Sequence, residues 1–216
     1  MRALLDTFLP DVPGVQPYLP ISATGSDHLV QTLAAAGAGF SIDSPADLDA
    51  VCAVGVDAGA VLYRNSVNHP NDVRAAALRG VWRFAIESEH QLAMLAGAAP
   101  GAAMYVYLSV PERADRARSG ASAQEALRLL RIAPEHGLRP YGLAFNAGPA
   151  PVDAAMYARA IDRCGLVMRR LEQLGTRVEM LGLGGTLGGN ASDPAVPAAV
   201  ERLPYRPPLL IGEPSL

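Results

Sequence analysis

The 216 residues contain no lysine; all 18 basic side chains are arginines. Schiff-base catalysis through a side-chain amine is therefore excluded, because no other side chain carries a primary amine. Cysteine is nearly as scarce. Cys52 and Cys164 both fall in stretches of helical period, which rules out a disulfide framework and predicts free thiols in a reducing cytoplasm. Charge of one sign is lacking too. The 18 basic groups face 21 acidic ones for a net charge of −3, so nucleic acid and anionic membranes are not expected partners. No stretch approaches the roughly 18 uninterrupted apolar residues of a membrane span. The opening segment 1–10 is too short, and too interrupted by Asp6, for a secretory leader. His28, His69, His90 and His136 lie on or beside expected helices without metal-ligand spacing, so no metal is expected. No Ser-His-Asp or Cys-His arrangement is in view either.

What is present is alternation. Short apolar runs at 18–23, 38–42, 60–64, 82–86, 103–108, 140–145, 178–183 and 209–212 read as strands. Segments of helical period lie between them at 27–36, 45–54, 70–79, 89–98, 123–136, 153–174 and 193–202. Ser44 before Pro45, with Asp47 at the capping-box position, and Ser88 with Gln91 mark helix starts. Gly37, Gly55, Gly80, Gly137 and Gly175 mark helix ends. Such alternation predicts parallel strands with right-handed crossovers. Eight of them favour a (β/α)8 TIM barrel as a single domain over 1–216, with an open doubly wound sheet as the alternative. No helix follows the eighth strand, so the last helix is expected to be missing or replaced by an N-terminal helix at 2–9.

A barrel of this kind carries its chemistry at the C-terminal strand ends. There the sequence offers Ser22, Thr24, Ser41, Asp43, Arg64, Asn65, Glu87, Tyr107, Ser109, Asn146, a glycine-rich loop at 184–189 and Glu213. Glu213 or Glu87 is the expected general base, with Tyr107 as a further catalytic candidate. Arg64 is the expected carboxylate clamp, since guanidinium pairs bidentately with carboxylate. Ser22, Asn65, Asn146, Gly184, Gly185 and Thr186 complete the expected ligand-binding set, the glycines through backbone N–H groups. Trp82, Met168 and Met180 read as packing residues. Arg163, Arg169, Arg170 and Arg177 read as a solvated helix face, with a surface for an anionic partner as the alternative.

Six fragments, in order, carry a resemblance: GAGFSIDSPADL at 37–48, VLYRN at 61–65, FAIESE at 84–89, GLAFNAG at 142–148, LGLGG at 181–185 and IGEP at 211–214. Together they resemble the barrel domain of the fold type III pyridoxal-phosphate enzymes, the ornithine/diaminopimelate decarboxylases and their alanine-racemase relatives. The resemblance implies a cofactor lysine at the end of the first strand, where this sequence has Ser22. It implies a ring-stacking histidine at Asn146, a phosphate-binding serine at Pro149, an arginine at Tyr107 and another at Leu216. Asp47, Gly184, Gly185 and Glu213 match the pattern, and the resemblance gives Glu213 the pyridine nitrogen as its partner. It also implies a C-terminal β domain, which is expected to be absent.

The expectation for function is a pyridoxal-independent relative of the amino-acid decarboxylases. It would bind or act on a small polar, amino-acid-like metabolite in a biosynthetic pathway, by lyase- or isomerase-type acid/base chemistry without a cofactor. The alternative is a non-catalytic pseudoenzyme, a regulatory or scaffold subunit of an active partner. A homodimer or a heteromer with an active paralogue is the expected assembly.

Overall fold

The computed structural model describes residues 12, 14–23, 26–64, 69–110, 120–148, 153–185 and 193–213. Within them eight strands run in chain order: β1 (Val15–Pro20), β2 (Gly39–Ile42), β3 (Leu62–Tyr63), β4 (Arg83–Ile86), β5 (Ala103–Leu108), β6 (Arg139–Asn146), β7 (Met180–Gly184) and β8 (Leu209–Glu213). Helices α1 (Asp27–Ala35), α2 (Pro45–Ala53), α3 (Pro70–Leu78), α4 (Glu89–Ala98), α5 (Ala123–Ile132), α6 (Ala154–Gln173) and α7 (Ala195–Glu201) lie between them. Each strand pairs in parallel with the next, and β8 pairs with β1, closing the barrel. The fold is the expected α/β TIM barrel. The expected helix at 2–9 and the sites Asn65 and Thr186 lie outside the described residues.

Local chemistry sets the element boundaries. Ser44 accepts from the Asp47 backbone N–H at 3.2 Å while the Asp47 carboxylate accepts from the Ser44 N–H at 3.1 Å, a complete capping box for α2. Ser122 and Glu125 make the same reciprocal pair at the start of α5. At α4, Ser88 accepts from the Gln91 N–H as expected, but the Gln91 side chain takes the N–H of Glu87 instead of that of Ser88. Gly37, Gly55, Gly80, Gly137 and Gly175 all have positive φ, the left-handed conformation that ends a helix. Most strands lie within one or two residues of expectation, and two differ more. β1 begins three residues early because Val15, Gln16 and Pro17 pair with β8, and Ile21–Ala23 tightens into a 3-10 turn that buries Ile21. β3 shrinks to Leu62–Tyr63 because Asp57 caps a 3-10 turn over Ala58–Ala60.

Two apolar layers result. Outward-facing strand residues such as Ile42, Phe84, Met104, Val106 and Leu183 pack under the helices. Inward-facing ones, among them Tyr18, Leu62, Ala85, Tyr105, Tyr107, Ala144, Met180 and Ile211, fill the lumen. Large and small residues complement each other there. A Cβ on Gly39 would lie 2.5 Å from the Tyr18 ring, and one on Gly142 would lie 2.9 Å from both Cβ and the backbone oxygen of Met180. The lumen phenols find acceptors: the Tyr105 hydroxyl donates to the Tyr63 carbonyl at 3.2 Å and that of Tyr18 to the Ala60 carbonyl at 3.4 Å. At the N-terminal end, Trp82 donates its indole N–H to the Gly59 carbonyl, with the Arg83 and Arg139 guanidiniums 4.8 and 5.5 Å from its ring centre.

Gly142→Ala is expected to cost about 1–3 kcal/mol, because the new methyl meets backbone as well as side chain. The melting temperature should fall by about 2–4 °C per kcal/mol in a chain of this size. An unchanged urea midpoint would show that the lumen is not filled as described.

Candidate functional site

The strand C-termini converge on Glu213, the last residue of β8. Its side chain is 5% exposed. Tyr107, two residues beyond Tyr105 on the lumen side of β5, donates its hydroxyl to Glu213 Oε2 at 2.6 Å. Glu213 Oε1 is buried with no hydrogen-bond partner among the described residues. A buried carboxylate with one oxygen bonded and the other open is poised to accept from an N–H or O–H donor. Burial is the main influence on its pKa and raises it above the usual carboxylate range; the Tyr107 hydrogen bond and the Arg64 charge oppose the rise, and Asp43 adds to it. Burial, then the Glu213 charge, likewise holds the Tyr107 phenol well above its ordinary value. Tyr107 is therefore a hydrogen-bond donor at neutral pH.

Arg64 follows β3, and its backbone N–H donates to the Ile42 carbonyl at 2.8 Å. Its guanidinium grips Asp43 bidentately, Nε to Oδ1 at 3.1 Å and Nη2 to Oδ2 at 2.7 Å. Pairing of Ser41 with Leu62 and of Ile42 with Tyr63 sets the next residues, Asp43 and Arg64, side by side. Burial works against the Arg64 charge, but the Asp43 hydrogen bonds and the surrounding acidic groups outweigh it, and its pKa rises. The expected clamp for a ligand carboxylate thus already holds an internal one.

The other expected residues are placed as follows. Ser22 sits exposed on the 3-10 turn after β1. Glu87 follows β4, half-buried, its backbone N–H bound by Gln91 at 2.6 Å. Asn146 ends β6 and accepts from the Gly148 N–H at 2.8 Å, folding the strand end into an Asx turn. Gly184 ends β7, and the space a Cβ would take is filled by the Phe145 carbonyl oxygen at 2.5 Å. Gly185, at φ +107°, donates to the Glu213 carbonyl at 3.1 Å, so these two glycines lock β7 to its neighbours. The sequence places Ser41, Asp43 and Arg64 at the mouth but does not pair Asp43 with Arg64, and it assigns no role to Ser41, whose buried Oγ has no partner among the described residues. Asp43 one residue past β2 and Arg64 one past β3 were the available signal. Among the described residues no cluster of His, Cys, Asp or Glu could hold a metal. Burial pushes the Cys164 thiol up to about 12, which leaves it inert as a nucleophile.

The pyridoxal group that the resemblance implies meets only part of its donor set. The open oxygen of Glu213 suits a ring N–H, but no lysine exists to hold the aldehyde, and Ser22 at the β1 turn has only a hydroxyl. These residues do not fit a covalently held pyridoxal.

Comparison with known proteins supplies the context. The family model described as pyridoxal-dependent decarboxylase, pyridoxal binding domain, matches residues 2–203. The chain is 30% identical to lysine/ornithine decarboxylase of Selenomonas ruminantium over 178 residues, 78% of this chain and 44% of that protein. It is 27% identical to antizyme inhibitor 2 of Xenopus laevis over 186 residues, 84% of this chain and 41% of that protein. The chain thus spans less than half the length of these relatives. In fold it superposes on a lysine/ornithine decarboxylase from Vibrio vulnificus complexed with putrescine, with a TM-score of 0.88 at 22% identity, over 99% of this chain and 60% of that one. A sequence match across most of the barrel and a closed barrel of the same topology lead to one assignment: the chain belongs to the pyridoxal-dependent decarboxylase family, through its pyridoxal-binding barrel domain.

Proposed function

We propose that this barrel binds, and transforms without a Schiff base, a small cationic or zwitterionic metabolite of the amino-acid or diamine type. The observation that carries this reading is Glu213, buried, bonded to Tyr107 through one oxygen and unpartnered at the other. The unpartnered oxygen accepts an ammonium N–H of the ligand or takes a proton from it. Burial raises the carboxyl's affinity for that proton, the direction a general base requires. Tyr107 holds the carboxylate in one rotamer and donates to it throughout. Arg64, neutralised by Asp43, orders the rim beside Glu213. The chemistry is proton transfer of the lyase or isomerase kind, independent of pyridoxal, in a single cytoplasmic barrel domain. Glu87, Ser22, Asn65, Asn146 and Thr186 contribute polar contacts around the ligand.

One observation favours a second reading, a regulatory subunit without catalysis. Antizyme inhibitor 2, among the relatives, is named for inhibiting another protein, and the present chain has no lysine. Here the barrel would pair with an active decarboxylase, and adding it to such an enzyme would change that enzyme's turnover.

Thermal-shift titration with ornithine, lysine, putrescine and cadaverine separates these readings. A ligand at about 100 times its Kd adds about 2.7 kcal/mol, a rise of about 5–10 °C in this size range. Glu213→Gln and Tyr107→Phe should reduce that rise. A flat response to the whole panel, together with altered turnover of an added decarboxylase, would replace the first reading by the second. Addition of pyridoxal phosphate should leave the absorbance free of an aldimine band; such a band would contradict pyridoxal independence.

A pH prediction follows from the same carboxyl. Because its folded pKa is raised, the folded state keeps the proton to higher pH than the unfolded chain does. Stability is therefore lost as pH rises from the unfolded value of about 4.3 through the folded one. Glu213→Gln removes this loss, so the variant should melt higher than the parent at pH 8 and alike at pH 4. Parallel melting curves across that range would show that the carboxyl is not desolvated.

A further inference from the structure

The outer surface of α6 and α7 carries a feature unrelated to the barrel mouth. Arg159, Arg163, Leu166 and Arg169 of α6 recur at spacings of three and four, so they share one helix face. Arg202, just beyond α7, joins them by bonding Asp162 through both Nε and Nη2, at 3.1 and 2.8 Å. Gly165 leaves room for the segment that follows α7: a Cβ there would lie 3.3 Å from Leu203 Cδ2. Together these residues line a groove of about 420 Å³ between the two helices. Among the described residues that line it, four guanidiniums face one carboxylate, that of Asp162, in a chain whose net charge is −3. Leu166, which lines it, is 61% exposed.

We propose that this groove docks an acidic peptide segment of a partner protein, carrying a leucine-sized apolar residue between its carboxylates. The carboxylates meet Arg159, Arg163 and Arg169, and the apolar residue covers Leu166. Each guanidinium has five N–H donors, so contacts within its own surroundings do not exhaust it. Local charge decides the class of partner. Fields are screened over about 8–10 Å at ordinary salt, so a short acidic segment feels only the arginine border. A membrane or a nucleic-acid duplex extends further and meets the net negative charge of the whole molecule. The groove is also sized for a few side chains, which suits a peptide.

Fluorescence anisotropy with a short labelled peptide of Glu and Leu tests this on the whole chain. Binding should weaken steeply with salt. The double reversal Arg163→Glu/Arg169→Glu should weaken it about tenfold or more, and Leu166→Ser should weaken it at unchanged salt dependence. Reversal of Arg74, exposed on α3, should leave it within about twofold. If the double reversal fails to fold by circular dichroism, the Arg163→Gln/Arg169→Gln pair is measured in its place. Equal affinity of parent and groove variants would overturn the proposal. So would binding of phosphatidylserine vesicles or duplex DNA through the same arginines in preference to the peptide. Glu213→Gln should bind the peptide as the parent does, which keeps this outcome separate from that of the mouth.

Discussion

Parallel pairing of β8 onto β1, with Val15 opposite Leu210, Gln16 opposite Ile211 and Pro17 opposite Gly212, leaves the sheet without an edge. Closure fixes the lumen as a sealed volume, and its filling becomes a packing problem with few solutions. Gly39 makes room for Tyr18, Gly142 for Met180, and Gly182 for Ala144 and Ile211. The same closure brings Glu213 to Tyr107, 106 residues earlier in the chain, across the lumen of the barrel. Without the β1–β8 seam there is neither a plug of phenols nor a buried carboxylate.

The mouth combines two kinds of polar arrangement. Asp43 and Arg64 are neighbours on adjacent strands and satisfy each other at the half-buried rim. Glu213 and Tyr107 lie deeper and leave one oxygen unsatisfied, and Ser41 leaves another. Satisfied pairs hold shape, whereas unsatisfied buried atoms cost free energy that a ligand can recover. The division of labour between rim and floor is the physical basis for reading this end of the barrel as a binding site.

Much of the scaffold was legible in the sequence because its signals are local. Ser44 with Asp47, the glycines after helices and the apolar runs all act within a few residues, and they foretold where elements begin and end. The proline-bearing start of β1 was obscured because Gln16 and Pro17 do not look like strand residues until β8 pairs with them. The shortness of β3 came from an aspartate-capped turn hidden inside an apolar run. At the site, the identities of Glu213, Tyr107 and Arg64 were readable from their places at strand ends. Their partners were not, because Asp43–Arg64 depends on strand register and Tyr107–Glu213 on closure.

The single tryptophan has a practical bearing on how this molecule can be watched. Trp82 lies at the N-terminal end of the barrel, flanked by the guanidiniums of Arg83 and Arg139 and edge-on to Tyr141. Its emission is therefore a gauge of the barrel floor, sensitive to loss of the fold and to events near α3 and α4. A ligand settling at Glu213 is at the other end of the strands and would leave that emission dark to its arrival. The tyrosines of β5, one of them bonded to Glu213 itself, are the chromophores that share its neighbourhood.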